Sequence, residues 1–231
     1  MKKFLILNSK GGSGKSTIAT NLAAYYACWG IKVFAADLDP QKSFEGWLKD
    51  RPKEADPIFS TKNVDFNAAE VAGAEYLVID TPAGVRGLHL RELVRLADVI
   101  IIPVLPSILD IRATGELVYE ILSGDMFDIK KQRLGVVANR VRINTRIFQS
   151  LEKFLLELEI PFLTTLRDSQ NYIRAIQSGL SIFEINRRMA EKDLQQWTPL
   201  LAWLSPVSSL PPAKIINDGK FGESMNQASS E

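Results

Sequence analysis

Lys10, Lys15, Ser16, Asp37, Asp39 and Asp80 are the residues whose types and spacing suggest phosphate chemistry. The first three lie in Asn8-Ser9-Lys10-Gly11-Gly12-Ser13-Gly14-Lys15-Ser16-Thr17. Gly11, Gly12 and Gly14, with Ser13 between them, let successive backbone N–H groups turn inward and form a nest for phosphate oxygens. Lys15 would reach the β- and γ-phosphates, the Ser16 hydroxyl would ligate Mg²⁺, and Thr17 would lie near the α-phosphate. The phosphate-loop spacing Gly-x-x-x-x-Gly-Lys-Ser is met if Ser9 or Lys10 replaces the first glycine. A plain glycine turn that happens to hold lysine is the alternative. The flanks argue against it: apolar Phe4–Leu7 precedes the loop, and Ile18, Leu22, Tyr25, Tyr26 and Trp29 follow on one predicted helix face.

The acids stand at the ends of two further apolar runs. Ile31–Ala36 reads as a strand that stops at Asp37-Leu38-Asp39-Pro40-Gln41, since proline blocks its continuation. Tyr76-Leu77-Val78-Ile79 is a buried strand closed by Asp80, a Walker B pattern that faces Mg²⁺ through water. Acids at the carboxyl ends of strands stand where open α/β sheets bind ligands. Asp37 and Asp39 could equally cap a helix that starts near Ser43 and buries Phe44, Trp47 and Leu48.

Lys10-Gly11-Gly12-Ser13-Gly14-Lys15-Ser16 resembles the deviant Walker A box of the ParA/MinD family of partition ATPases. Asp37-Leu38-Asp39-Pro40-Gln41 and Asp80-Thr81-Pro82-Ala83-Gly84 are similar to that family's two switch segments, and Pro103–Asp110 to a segment of its short plasmid-partition members. The resemblance implies an ATPase that pairs with a second copy around ATP, each Lys10 crossing to its partner's nucleotide. It implies Asp39 as the residue that orients the attacking water, and Asp37 as a support for Mg²⁺. It also implies a base contact from Asn139 and a loop over the base that includes Arg167. Asparagine at a strand end is also a common turn former. The resemblance further implies nucleoid DNA as a sequence-independent partner, and a cargo adaptor that stimulates hydrolysis. Arg174, Arg187, Arg188 and Lys192 are the DNA candidates; a solvated basic face is the other reading of them. The cargo is a plasmid or a protein assembly such as a carboxysome. A phosphate-loop kinase or an ATP-dependent ligase such as dethiobiotin synthetase would use the same scaffold, as would a nucleotide-binding module without turnover. Only the resemblance of Lys10 speaks against these.

The elements that must position these groups alternate along all of the first 204 residues. Strands are expected at 4–7, 31–36, 76–80, 99–102, 134–138 and 160–163, with a short one near Val64-Asp65-Phe66. Helices are expected after the phosphate loop and at 43–48, 88–97, 111–122, 146–158, 172–177 and 187–204. Such alternation predicts an α/β fold: a doubly wound, mostly parallel sheet flanked by helices. Residues 1–204 form one phosphate-loop domain in this reading, and 205–231, rich in Ser, Pro, Gly and Asn, read as a disordered tail. The 51–57 stretch reads as a polar surface loop. A net charge of +1 restricts any nucleic-acid contact to a local patch. The single cysteine, Cys28, reads as a buried thiol in a reducing cytoplasm. The one histidine, His89, reads as a surface or packing residue. No apolar run approaches the ~20 residues of a membrane span, and Met1-Lys2-Lys3 leads straight into the first strand, which leaves no room for a leader.

Overall fold

Apolar runs too short for helices produce the central strands, Lys2–Ile6, Val33–Asp37, Tyr76–Asp80 and Val99–Val104. The computed structural model describes residues 1–62, 71, 73–158 and 160–204. In order these hold β1 (Lys2–Ile6), α1 (Lys15–Ala27), β2 (Val33–Asp37), α2 (Ser43–Lys49), β3 (Ile58–Thr61), β4 (Tyr76–Asp80) and α3 (Gly87–Leu96). They continue with β5 (Val99–Val104), α4 (Ile108–Ser123), β6 (Arg133–Val141), α5 (Arg146–Glu157), β7 (Phe162–Arg167), α6 (Gln170–Gln177) and α7 (Arg187–Leu204).

The strands pair in the order β3-β2-β4-β1-β5-β6-β7, and every pairing is parallel. Alternate residues of each strand face opposite layers. Phe4, Ile6, Val33, Ala35, Val78, Val99 and Ile101 meet α1, α2, α6 and α7. Leu5, Phe34, Leu77, Ile79, Ile100 and Ile102 meet α3, α4 and α5. Both faces are covered, so the central strands are apolar throughout rather than alternating. The winding direction reverses beside β1, where the chain leaves β4 on one side and enters β5 on the other. A crevice opens at the carboxyl edge of such a reversal.

Several boundaries differ from the expectations, each for a local reason. α1 is buried on all sides rather than along one face, because Ala19, Ala23, Ala24 and Ala27 let neighbours close over it. Trp29 lies beyond its end and is exposed. α4 starts at Ile108 rather than 111, since the Ser107 hydroxyl accepts the Asp110 N–H at 3.1 Å. β7 begins after Pro161 and runs on through Leu166 and Arg167, which are strand, not loop. Arg51 is not a surface residue: its side chain is 7% exposed and paired with Glu184. Cys28 is half-buried at the end of α1. His89 is exposed beside Glu92. The strand expected near Val64 and the tail from 205 onward lie outside the described residues.

Candidate nucleotide-binding site

The loop between β1 and α1 is held in shape by its own backbone and by one asparagine. Asn8, fully buried, accepts the Lys10 N–H at 2.9 Å through Oδ1 and donates Nδ2 to the Pro103 carbonyl of β5. The Lys10 carbonyl accepts from Ser13 Oγ at 3.3 Å and from Lys15 Nζ at 3.2 Å. The loop therefore folds over its own lysine. α1 has no side-chain cap and no acid in its first turn. Its first N–H groups thus have no capping oxygen, and the positive end of the helix dipole favours an anion there. Gly14 occupies the cap position with φ 94°. A Cβ there would lie 2.0 Å from Asn139 Nδ2, so only glycine fits.

Two acids stand side by side at the edge of the sheet. Register pairs Ile6 with Asp80 and Asp37 with Asp80. The Ser16 hydroxyl donates to Asp80 Oδ2 at 2.6 Å. Asp80 is fully buried, and its Oδ1 has no hydrogen-bond partner among the described residues. Burial pushes the Asp80 carboxyl up to about 7; the Ser16 hydrogen bond and Lys15 oppose the rise, and Asp37 and Asp39 add to it. Burial likewise lowers the Lys15 ammonium from its usual value, against the pull of Asp80 and Asp39. A buried carboxylate oxygen without a donor, next to a hydroxyl, is a hard-oxygen set of the kind Mg²⁺ takes. Ser16 and Asp80 fit that ion.

Asp37 holds the backbone that follows it. Its Oδ1 accepts the Asp39 N–H at 3.0 Å and its Oδ2 accepts the Glu45 N–H at 2.9 Å. Asp37 thus braces the turn and the first turn of α2, as the capping alternative has it, and each oxygen keeps a lone pair for a further donor or cation. Asp39 is half-buried and its Oδ1 accepts the Gln41 N–H at 2.9 Å. Lys42 stands in the left-handed region at φ 53° and donates Nζ to the Asp37 carbonyl. The segment after β4 joins the same cluster: Thr81 Oγ1 donates to the Ile6 carbonyl at 2.8 Å, and Gly84 N–H donates to the Ser9 carbonyl at 2.9 Å.

The remaining candidates separate into two groups. Asn139 is buried with its Nδ2 on the Ser13 carbonyl at 2.8 Å and its Oδ1 on the Arg140 N–H. Its amide holds the phosphate loop at Ser13, and the residue also borders a pocket beside that loop. The pocket, of about 210 Å³, is lined by Thr17, Arg140, Arg167, Tyr172 and Ile173 among others. Arg167 borders that pocket, but its guanidinium is engaged with buried Asp193 at 2.6 and 3.0 Å and with Ser169. Arg174 on α6 and Arg187, Arg188 and Lys192 on α7 are all exposed.

Sequence reasoning passed over Asn8, Asn21, Arg51, Glu184 and Asp193. Asn8 had a signal in its place two residues before Lys10, the spacing of an Asx turn. Glu184 follows Ser181 at capping-box spacing, and its Oε2 accepts both the Ser181 N–H and hydroxyl. Asp193 falls in the buried series Ala190, Asp193, Leu194, Trp197, so helical periodicity places it inside. The bonds from Asn21 to Ile182 and from Arg51 to Glu184 have no local signal, because those partners are 161 and 133 residues away.

A family model described as the CobQ/CobB/MinD/ParA nucleotide-binding domain matches residues 4–182. The chain is 30% identical over 190 residues to the maintenance of carboxysome distribution protein A of Halothiobacillus neapolitanus, covering 79% of this chain and 87% of that one. Its structure is similar to the MinD cell division protein of Aquifex aeolicus, with a TM-score of 0.68, 18% identity, and coverage of 93% and 100% of the two chains. It is also similar to a plasmid partition protein from Borrelia burgdorferi bound to AMPPNP, with a TM-score of 0.66, 16% identity, and coverage of 87% and 99%. At such identities the structures share the fold, a parallel sheet of the MinD type flanked by helices.

Proposed function

Since the chain belongs to the CobQ/CobB/MinD/ParA nucleotide-binding family, we propose that it is an ATPase of the ParA partition type. Two copies close around two ATP molecules, and the closed pair holds DNA without sequence preference. An adaptor protein on a cargo speeds hydrolysis and so releases the pair from DNA. One observation carries this reading: half-buried Ser16 donates to fully buried Asp80 beside Lys15 at the uncapped start of α1.

Each residue has a task in that cycle. The loop N–H groups and Lys15 bind the β- and γ-phosphates. Ser16 and Asp80 hold Mg²⁺, with Asp37 keeping the neighbouring turn in place; when bound, the cation neutralises charge on the phosphate oxygens. Asp39 orients the attacking water. Lys10 reaches the partner's γ-phosphate and stabilises the charge that develops on it, the service that an arginine finger performs elsewhere. The Gly84 N–H, held here by the Ser9 carbonyl, turns to the γ-phosphate and reverts when phosphate leaves. Exposed Leu88, Ile108 and Leu109 begin α3 and α4 at this same carboxyl edge and supply apolar surface for the second copy.

Similarity over most of both chains to a carboxysome-distribution protein supports a protein assembly as cargo, with a plasmid as the second possibility. Among the described residues no helix is long and apolar enough to cross a membrane, and we place the protein on nucleoid DNA in the cytoplasm. In residue terms the domain is 1–204, with 205–231 a tail. The test is Asp39→Ala with Mg²⁺ and ATP. Light scattering is expected to show a persistent dimer that stays on DNA-coated beads; a monomer at saturating ATP would refute the reading.

A further inference from the structure

We propose that residues 179–184 form a clamp through which the nucleotide site sets the position of α7. This rests on the reading above only for what α7 then touches.

Three elements grip the segment. From α1, Asn21 accepts the Ile182 N–H at 2.9 Å and donates Nδ2 to the Thr17 carbonyl at 2.7 Å. Thr17 belongs to the helix turn that faces the phosphate, so the segment is bonded directly to the helix bearing that turn. From α2, the Trp47 indole donates to the Leu180 carbonyl at 3.1 Å. From the turn after α2, Arg51 donates to both Glu184 oxygens, at 2.7 and 3.2 Å, and to the Gly179 carbonyl. The guanidinium also lies over the Trp47 ring, 4.7 Å from its centroid. Gly179, at φ 66°, passes so close that a Cβ would lie 2.1 Å from the Asp50 carbonyl oxygen. Three residues beyond Glu184 the chain enters α7 at Arg187.

The elements that grip are the elements that sense. α2 has only seven residues and begins at Ser43, with Lys42 alone between it and Asp39-Pro40-Gln41. A shift of the 39–42 turn therefore moves α2 as a short rigid rod, and Trp47 and Arg51 carry the shift into 179–184. The chemistry of the grip suits this task. A buried ion pair adds little net stability over apolar residues of equal volume, because desolvating two charges offsets their attraction. It does impose direction: a guanidinium fork meets a carboxylate in one plane. Glu184 is 1% and Arg51 7% exposed, so solvent cannot substitute for either partner. An apolar contact would let α2 slide over this segment; the fork does not.

The test uses the full chain and the double variant Arg51→Met/Glu184→Gln. This keeps the volumes, keeps an acceptor for Ser181 and removes both charges. Hydrogen exchange is measured with and without Mg²⁺ and a non-hydrolysable ATP analogue. In the wild type, the analogue is expected to change exchange over 185–192. In the variant that change is expected to vanish while analogue affinity stays within about threefold, and nucleotide-dependent DNA retention is expected to fall about tenfold. If exchange in the variant still responds like the wild type, or if wild-type α7 does not respond at all, the clamp is refuted. If the double variant fails to fold by circular dichroism, Trp47→Phe removes the indole N–H together with one ring of the bicycle and keeps an aromatic face under Arg51, and a reduced response over 185–192 supports the clamp while an unreduced one refutes it. A wild-type α7 that responds but retains no DNA refutes the DNA reading and leaves the clamp standing.

Discussion

The rim of the sheet, where we propose ATP binds, and the basic stretch of α6 and α7, where we propose DNA binds, are built in opposite ways. At the rim four of the groups are buried: Asn8, Ser13 and Asp80 are fully so, and Lys15 is 6% exposed. Each is held by backbone or by a neighbouring side chain at 2.6–3.3 Å. On α6 and α7, Arg174, Arg187, Arg188 and Lys192 stand in solvent. The first arrangement fixes a few donors around one small anion, so each is indispensable. The second sums charges over a surface, so no single residue decides.

The sharpest way to break that contrast is at Gly14. Gly14→Ala is expected to abolish ATP binding by calorimetry, because a side chain would need both a left-handed backbone and the space of the Asn139 amide. Retained affinity would mean that the rim is as tolerant as the surface. Next is the charge pair Arg187→Glu/Arg188→Glu. DNA retention is expected to be lost while the ATP-induced dimer remains, and Arg187→Ala alone is expected to weaken retention only about threefold, with a shallower salt dependence. A single alanine that removes all retention would make α7 a built site instead.

The rim's burial also predicts a dependence on pH. The Asp80 carboxyl rises from 3.8 to about 7 in the fold. Below pH 4 the proton is present in folded and unfolded chains alike, and Asp80's contribution to the stability of the nucleotide-free protein is complete. That contribution is lost as pH rises through about 7, since the unfolded carboxyl has already ionised. Thermal melts across pH 4–8 are expected to show this slope in the wild type and its absence in Asp80→Asn. Mg²⁺ needs the ionised form, so Mg²⁺-dependent ATP affinity moves the other way and falls about tenfold per pH unit below 7. The smallest effect concerns two helix starts at one edge. α4 is capped by Ser107 and α1 has no cap; Ser107→Ala is expected to cost about 1 kcal/mol of stability without changing ATP affinity.

Legibility followed the range of the contacts. The phosphate loop, Asp80 and the doubly wound sheet were readable because their determinants are neighbours in the chain: a run of glycines, a four-residue apolar stretch, a hydrophobic period. The hold of Asp37 on the Asp39 and Glu45 N–H groups was not legible, because a strand-end acid looks the same whether or not it also braces a turn. The bond from Asn139 to the Ser13 carbonyl was hidden for a similar reason. Which way its amide turns depends on Gly14 and Ser13, which are more than 120 positions distant. Arg51 passed for a loop residue among Pro52, Lys53 and Glu54, since its partner Glu184 is 133 positions away.

What the amino-acid order alone determined is the kind of chemistry and the scaffold under it. Glycine's missing Cβ, the lysine and hydroxyl after it and the periods of the flanking segments act within a few residues, and no distant neighbour can cancel them. What only the tertiary structure decided is how the charged groups are spent: Asp37 on a turn, Asn139 on the loop, Arg167 on Asp193, Arg51 on Glu184. Each of those pairings puts at least one partner half-buried or deeper, where a polar group must find a partner or remain costly, and the partner available there is set by the packing around it.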